Sequence, residues 1–335
     1  MTNIYEIAKK LGISHMTVSR AFNKPELVGK KTREKIFKIT DELNYRPSMI
    51  ARSMRTKKTN YIGLILPDII NPFFPEIVRG VDDCARKNHH NIILVNTDND
   101  YEIQNSSLDI FINRGIDGII ISGIAGGKKD TFFINKIKSK NIPVVLIDRY
   151  IPKLNSSHVI TDNFKAAYDA IKYLINLGHK KIGVISSPQK IKIFQDRLKG
   201  YKSALDENNI TFREELIIEG KESIQSGYLT TKTLFKRGNN FTAIFAMCDF
   251  MAFGAYQYCR ENKIIIPDDI SIISIDDIYT SSLITPPLTT MAQKKYDMGF
   301  IATKIIIDSI KRNKIPSKQV ILEAELIERN SCRKL

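Results

Sequence analysis

Two different periodicities divide the chain. Over the first 45 residues, apolar positions recur at helical spacing in short bursts: Ile4, Ile7, Ala8 and Leu11 make one stripe, Ile36, Ile39 and Leu43 another. From Tyr61 onward the pattern changes to short β-branched runs separated by helical stretches. These are YIGLIL at 61–66, NIILV at 91–95, GIII at 118–121 and PVVLID at 143–148, then KIGVIS at 181–186, AIFAM at 243–247 and DISIISID at 269–276. Apolar runs without alternation fit strands covered on both faces, and each is followed by enough chain for a crossover helix. The pattern therefore predicts an α/β protein: two doubly wound parallel-sheet lobes, about 61–160 and 162–290, preceded by a small all-α head. The tail offers a helix at 298–310 and a last strand near 320–322. It is expected to recross between the lobes, with 293–319 joining the first and 320–330 the second.

Local signals set the helix ends in the head. Asn3-x-x-Glu6 reads as a capping box, and Gly12 stops the first helix. Ser14 caps a second helix, 15–22, which Asn23-Lys24-Pro25 ends. A third runs over 31–43 until Tyr45-Arg46-Pro47 breaks it, and Ser48–Arg55 has room for one or two further turns. Lys57-Lys58-Thr59-Asn60 is a polar linker, so a head of 1–58 and a body of 61–335 are expected.

Charge separates these parts further. Residues 1–60 hold 14 lysines and arginines against 5 acids, a net of +9 out of +15 for all 335 residues. Such concentration in a short head points to a polyanionic partner. The N-terminus carries no apolar leader, and no run of about 18 apolar residues could cross a bilayer, so a cytoplasmic protein without a membrane partner is expected. The four cysteines are scattered, with no C-x-x-C pair, which fits free thiols and no metal site. Nothing calls for a cofactor. The stretch Gly123–Lys129 lacks the phosphate-loop pattern, and neither G-x-G-x-x-G nor G-x-S-x-G occurs, so no enzyme activity is expected.

Two short helices joined by a Gly12-containing turn form a helix-turn-helix, whose second helix would present His15, Met16, Thr17, Ser19 and Arg20 to a major groove. Arg20 can donate twice to a guanine, Thr17 can bond a base or touch a thymine methyl, and Ser19 can reach phosphate. Met16 could instead be a core residue.

The wording of these segments is more specific than their geometry. Ile4-Tyr5-Glu6-Ile7-Ala8, Gly12-Ile13-Ser14, Thr17-Val18-Ser19-Arg20 and Asn23, with Lys31–Ile36, Leu43–Pro47 and Ile50–Met54, strongly resemble the LacI/GalR family of bacterial transcription regulators. The resemblance runs through the body to Leu326-Ile327-Glu328-Arg329. It implies base contacts from His15, Met16, Thr17 and Arg20, and phosphate contacts from Asn3, Tyr5, Ser19, Asn23, Thr32 and Tyr45. It also implies a hinge helix, about 48–56, that includes Arg52 and forms in the minor groove of a palindromic operator. Met54 stands where the family has a leucine wedge, and Gly29 where a small polar residue often starts the third helix. A homodimer is the expected assembly, because no heptad tail follows Arg329.

In the body, ligands of such sheets sit at strand C-terminal ends. Asn71-Pro72-Phe73-Phe74, Asp148-Arg149, Asp249, Asp276-Asp277 and Gln293 follow strands, and Arg197 lies in a helix. Aromatic faces with carboxylates and arginines suit a polyol. The set, Asn71, Phe73, Phe74, Asp148, Arg149, Arg197, Asp249, Asp276 and Gln293, resembles the sugar-binding branch of the family and ribose-binding periplasmic proteins. Cys248 departs from the asparagine usual before Asp249. Phe73 and Phe74 could instead be core, Asp276-Asp277 turn residues, and Arg149 half of a surface ion pair. The expected function is a repressor switched by a pentose or hexose between its lobes, as inducer or corepressor. The alternative is a regulator of the catabolite-control type, in which a phosphorylated carrier protein docks on the lobe surface around Arg79–Asp83 and Tyr296–Gly299.

Overall fold

A computed structural model describes residues 3–45, 58–122, 135–137, 139–150, 156–189, 191–238, 240–313, 315 and 317–335. The hinge segment with Arg52 and Met54, and the Gly123–Lys129 turn, lie outside the described residues. The chain divides into two compact units, Met1–Thr59 and Asn60–Leu335.

In the first unit, α1 (Ile4–Leu11), α2 (His15–Asn23) and α3 (Lys30–Glu42) close on a small core of Ile7, Ala8, Val18, Ala21, Val28 and Ile36. Asn3 caps α1, its Oδ1 accepting from the Tyr5 and Glu6 amides. The capping box is only half formed: Glu6 Oε1 accepts from the Asn3 side chain, at 3.4 Å. Gly12 ends α1 at φ +63°, a left-handed conformation, and the Ile13 amide returns to the Ala8 carbonyl. That turn sets the angle at which α2 leaves α1. At α3, Gly29 supplies no side-chain cap.

The second unit holds two sheets. The first has the order β11-β5-β4-β3-β1-β2. Its strands are β1 (Tyr61–Leu66), β2 (Asn91–Asn96), β3 (Gly118–Ile121), β4 (Val144–Ile147), β5 (Ser157–Thr161) and β11 (Gln319–Leu322), all paired in parallel. The second has the order β12-β10-β9-β8-β6-β7. It is built from β6 (Ile182–Ser186), β7 (Ile217–Glu219), β8 (Ala243–Ala246), β9 (Ser271–Asp276), β10 (Thr289–Ala292) and β12 (Glu325–Ile327). Among the described strands only β12 runs antiparallel, against β10. Helices α4 (Phe73–Lys87), α5 (Tyr101–Asn113) and α10 (Lys295–Arg312) serve the first lobe. The second carries α6 (Asn163–Asn176), α7 (Lys192–Glu207), α8 (Ile224–Lys236) and α9 (Asp249–Glu261).

The structure corrects the tail. The strand at 320–322 was expected in the second lobe but is β11, on the edge of the first sheet, paired Val320 to Val159. The reason is steric continuity: α10 packs on α4 and on β3–β5, so the chain leaving it meets β5 first. Only then does it cross to the second lobe, as β12. Strands β5, β7 and β12 have no long apolar run and were not expected.

Helices α4 and α10 pack at unusually short range. A Cβ on Gly80 would stand 2.1 Å from the Tyr296 carbonyl oxygen, and one on Gly299 would stand 2.1 Å from that of Ile77. Backbone cannot yield as a side-chain end can, so Gly80→Ala is expected to destabilise the body by about 1–3 kcal/mol. An unchanged melting temperature would show that the helices separate freely.

Candidate functional site

Helix α2 turns one face inward and the other outward. Val18 and Ala21 are buried, while Met16 is 51% exposed and Arg20 is also exposed. Met16 is thus not a core residue. Tyr5, 64% exposed, lies beside His15 with ring centroids 4.9 Å apart. The Ser14 hydroxyl accepts from the Thr17 amide and shares a hydrogen bond with the Thr17 hydroxyl at 2.9 Å. The cap therefore occupies the Thr17 hydroxyl. Asn23 Nδ2 donates to the Ser19 carbonyl oxygen at 2.8 Å, fixing the amide at the end of the same face. Asn3 is exposed, and Thr32 and Tyr45 are half-buried.

The body residues mostly converge. A narrow cavity of about 20 Å³ is lined by Asn71, Phe73, Phe74, Asp148, Arg197 and Asp276, and further by Ile193, Phe194, Glu222, Cys248 and Gln293. It lies where the C-terminal ends of β1, β4, β8 and β9 face one another. A roomier groove of about 650 Å³ near Phe253, Tyr256, Ile264 and Pro286 has mainly apolar walls and Arg260 as its one charged side chain. It lacks the convergent polar groups of the smaller cavity.

Each polar group in the cavity is positioned by others. Arg197 is 2% exposed; its Nε donates to Asn163 Oδ1 at 2.7 Å, Nη1 donates to the Met247 carbonyl, and Nη2 stands 3.9 Å from Asp276 Oδ1. Gln293 Nε2 donates to Asp276 Oδ1 at 2.7 Å, while the Thr161 hydroxyl donates to Gln293 Oε1. Gln293 thereby ties β5 of the first sheet to β9 of the second. Lys295 Nζ donates to the carbonyls of Asp276 and Asp277, both at 2.7 Å, and lies 3.4 Å from Glu76 on α4. Asp148, Asp276 and Asp277 have positive φ (61°, 139° and 51°), so the strand ends turn sharply to aim these side chains. Asp276 is thus both a turn residue and a cavity carboxylate, and Phe73 and Phe74 both line the cavity and belong to the core of the first lobe.

Burial raises the carboxyl of Asp276 well above the ordinary range, against the opposing pull of Arg197, and the Asp249 charge adds to the rise. Burial likewise raises Asp148, although Arg149 and Arg197 pull the other way. A raised folded-state value means a proton held in the fold but lost from the unfolded chain. The resulting stability is fully present below the ordinary aspartate value and fades as pH rises through the folded one.

Two expected ligand residues take other places. Asp249 is fully buried and does not line the cavity. Its Oδ1 accepts from the Ser274 and Thr290 hydroxyls, and its Oδ2 from the Ile278 amide and the Ser281 hydroxyl. With those acceptor sites filled, it anchors the turn after β9. Arg149 is neither at the surface nor free: Nη2 donates to both Glu222 oxygens at 3.0 Å, across the lobes, while its buried Nε has no hydrogen-bond acceptor. Sequence reasoning missed Glu222. The rule of strand C-terminal ends would have found it, but β7 spans only three residues.

Comparison with known proteins gives two family matches: residues 3–48 to bacterial regulatory proteins, lacI family, and residues 171–332 to a periplasmic binding protein-like domain. The chain is 33% identical to the ribose operon repressor of Haemophilus influenzae, with all of both chains covered. It is 32% identical to catabolite control protein A of Priestia megaterium, covering 98% of this chain and 99% of that one. A LacI family regulator from Enterococcus faecium, solved with bound ribose, matches 82% of this chain and 99% of its own at 33% identity and a TM-score of 0.73. The lac repressor dimer on its operator shares the fold, with a TM-score of 0.89 over 99% of both chains at 24% identity.

Proposed function

Because this chain belongs to the lacI family of bacterial regulatory proteins, we propose that it is a cytoplasmic repressor whose hold on DNA is switched by a small neutral sugar between its lobes. The sugar is a ribose-like pentose or a hexose. The observation that carries this reading is the single cavity on which Phe73, Phe74, Asp148, Arg197, Asp276 and Gln293 converge. Two aromatic rings can cover apolar C–H faces of a sugar while the carboxylates and Gln293 hold pairs of hydroxyls.

In this reading two heads of a homodimer read the half-sites of a palindrome. His15, Met16, Thr17 and Arg20 face the bases; Asn3, Tyr5, Ser19, Asn23, Thr32 and Tyr45 hold phosphates. Arg20→Ala is expected to cost about 1–3 kcal/mol on the cognate operator and to relax one base position. Equal weakening on random DNA, measured by anisotropy, would remove Arg20 from the base contacts.

A thermal-shift panel of pentoses and hexoses tests the cavity: its ligand raises the melting temperature. Hydroxyls that donate to Asp276 favour its ionised form, so sugar affinity is expected to increase as pH rises from acid toward neutral, with proton release. Calorimetry in buffers of different ionisation heat reads that proton directly; a pH-independent affinity would remove Asp276 from the contacts.

One observation bears on switching by a phosphorylated carrier protein. On α4, Arg79 and Arg86 are paired with Asp83 and Asp82, and the Tyr296 hydroxyl bonds Asp83. Those exposed pairs are weak enough for a phosphate to displace. Retained binding of a phospho-carrier with no response to any sugar would favour that partner.

A further inference from the structure

We infer that Glu222 is a specificity-determining residue: by engaging the Arg149 guanidinium across the lobes, it reserves the cavity for an uncharged polyol and turns away phosphorylated or carboxylated sugars of the same size. The inference rests on the cavity being the sugar site and adds the charge class of its ligand.

The charge balance of the cavity carries it. Three acidic side chains, Asp148, Glu222 and Asp276, line the space with one arginine, Arg197, and burial raises the carboxyls of Asp148 and Asp276. Arg149 is the natural anion receptor at its edge, because a planar guanidinium fork holds phosphate and carboxylate in bidentate fashion. That fork is already filled. Nη2 donates to both oxygens of Glu222, Nη1 reaches Asn99 Oδ1 at 3.5 Å, and Nε stands 3.8 Å from Asp148 Oδ2. Arg197 is likewise committed to Asn163, to the Met247 carbonyl and toward Asp276. A ligand phosphate would therefore meet the Glu222 carboxylate and find the Arg149 fork already occupied. Helices α4, α7 and α9 begin at the cavity, so their positive ends oppose this repulsion in part. They act equally on the carboxylates already there.

Neutral hydroxyls meet the opposite situation. The acidic side chains and Gln293 can accept from them or donate to them without displacing Glu222 from Arg149. Glu222 sits in the loop between β7 and Ser223, the N-cap of α8, so its carboxylate comes from the second lobe and Arg149 from the first. The pair also removes the guanidinium from solvent, since the Arg149 side chain is 6% exposed.

The test uses full-length protein and two probes, D-ribose and D-ribose 5-phosphate, titrated calorimetrically into the wild type and Glu222→Gln. Glutamine keeps the shape and removes the charge. The wild type is expected to prefer ribose over its phosphate by at least about 100-fold, and the variant to narrow that ratio about tenfold or more through tighter phosphate binding. A second variant, Asn99→Asp, adds a carboxylate to the other side of Arg149 and is expected to widen the ratio. An unchanged ratio in both variants, or a wild type that prefers the phosphate, overturns the inference while the sugar site stands. A wild type that binds neither probe, nor any other pentose or hexose, overturns the sugar site and this inference with it.

Discussion

An Arg197→Met variant is expected to bind operator with wild-type affinity and to lose its response to sugar altogether. Arg197 is the most committed side chain of the cavity. It reaches helix α6 through Asn163, the end of β8 through the Met247 carbonyl and the turn after β9 through Asp276. Methionine fills a similar length but leaves the Asp276 carboxylate without its guanidinium. Burial already disfavours that charge, so the carboxyl would hold its proton more firmly and accept hydroxyls less well. A loss of more than about 100-fold in sugar affinity follows from removing one member of a buried charge pair. The head is a separate compact unit with its own core, so its DNA contacts do not depend on this arginine. Calorimetry with sugar and anisotropy with operator measure the two halves; a variant that still answers to sugar would place the ligand elsewhere.

The second large effect is on stability. Asp249→Ala removes the acceptor of four hydrogen bonds and leaves three hydroxyls and the Ile278 amide to find new partners in a dry interior. A cost of about 3–5 kcal/mol is expected in denaturant unfolding. Asp249→Asn keeps the shape and one of the two acceptor oxygens, and is expected to cost about 1–3 kcal/mol and to leave sugar affinity within a few-fold. Loss of sugar binding in a stably folded Asn variant would return Asp249 to the ligand contacts.

The sequence was legible where a physical signal is local. The stripe of Ile4, Ile7, Ala8 and Leu11, the Ser14 cap and the Gly12 turn each act within a few residues, and the head follows them closely. The long buried runs of β1, β3 and β9 were equally plain, because a strand covered on both faces cannot alternate. Strand β5 was hidden by Ser157, His158 and Thr161, polar residues that are nonetheless buried, Ser157 accepting from the Lys318 amide and Thr161 donating to Gln293. The placement of β11 depends on where α10 ends in space, which no local pattern encodes.

The cavity was legible as a set of strand ends but not as a network. Asp249 and Asp276 look alike in the sequence, each directly after or at the end of an apolar run. Their difference lies in Ser274, Ser281 and Thr290, three hydroxyls that arrive from separate elements and fill the acceptor sites of Asp249 alone. Arg149 was ambiguous for the same reason, since its partner Glu222 lies 73 positions away in the other lobe.

The account stands or falls on coupling between cavity and head. The direct test is anisotropy of full-length protein on its operator fragment, titrated with and without saturating sugar chosen from the pentose and hexose panel. The account predicts that operator affinity changes by about 5–150-fold, the range of ordinary allosteric coupling, and that scrambled DNA binds more weakly in both conditions. An operator affinity that is the same with every sugar, or no preference over scrambled DNA at moderate salt, would contradict it.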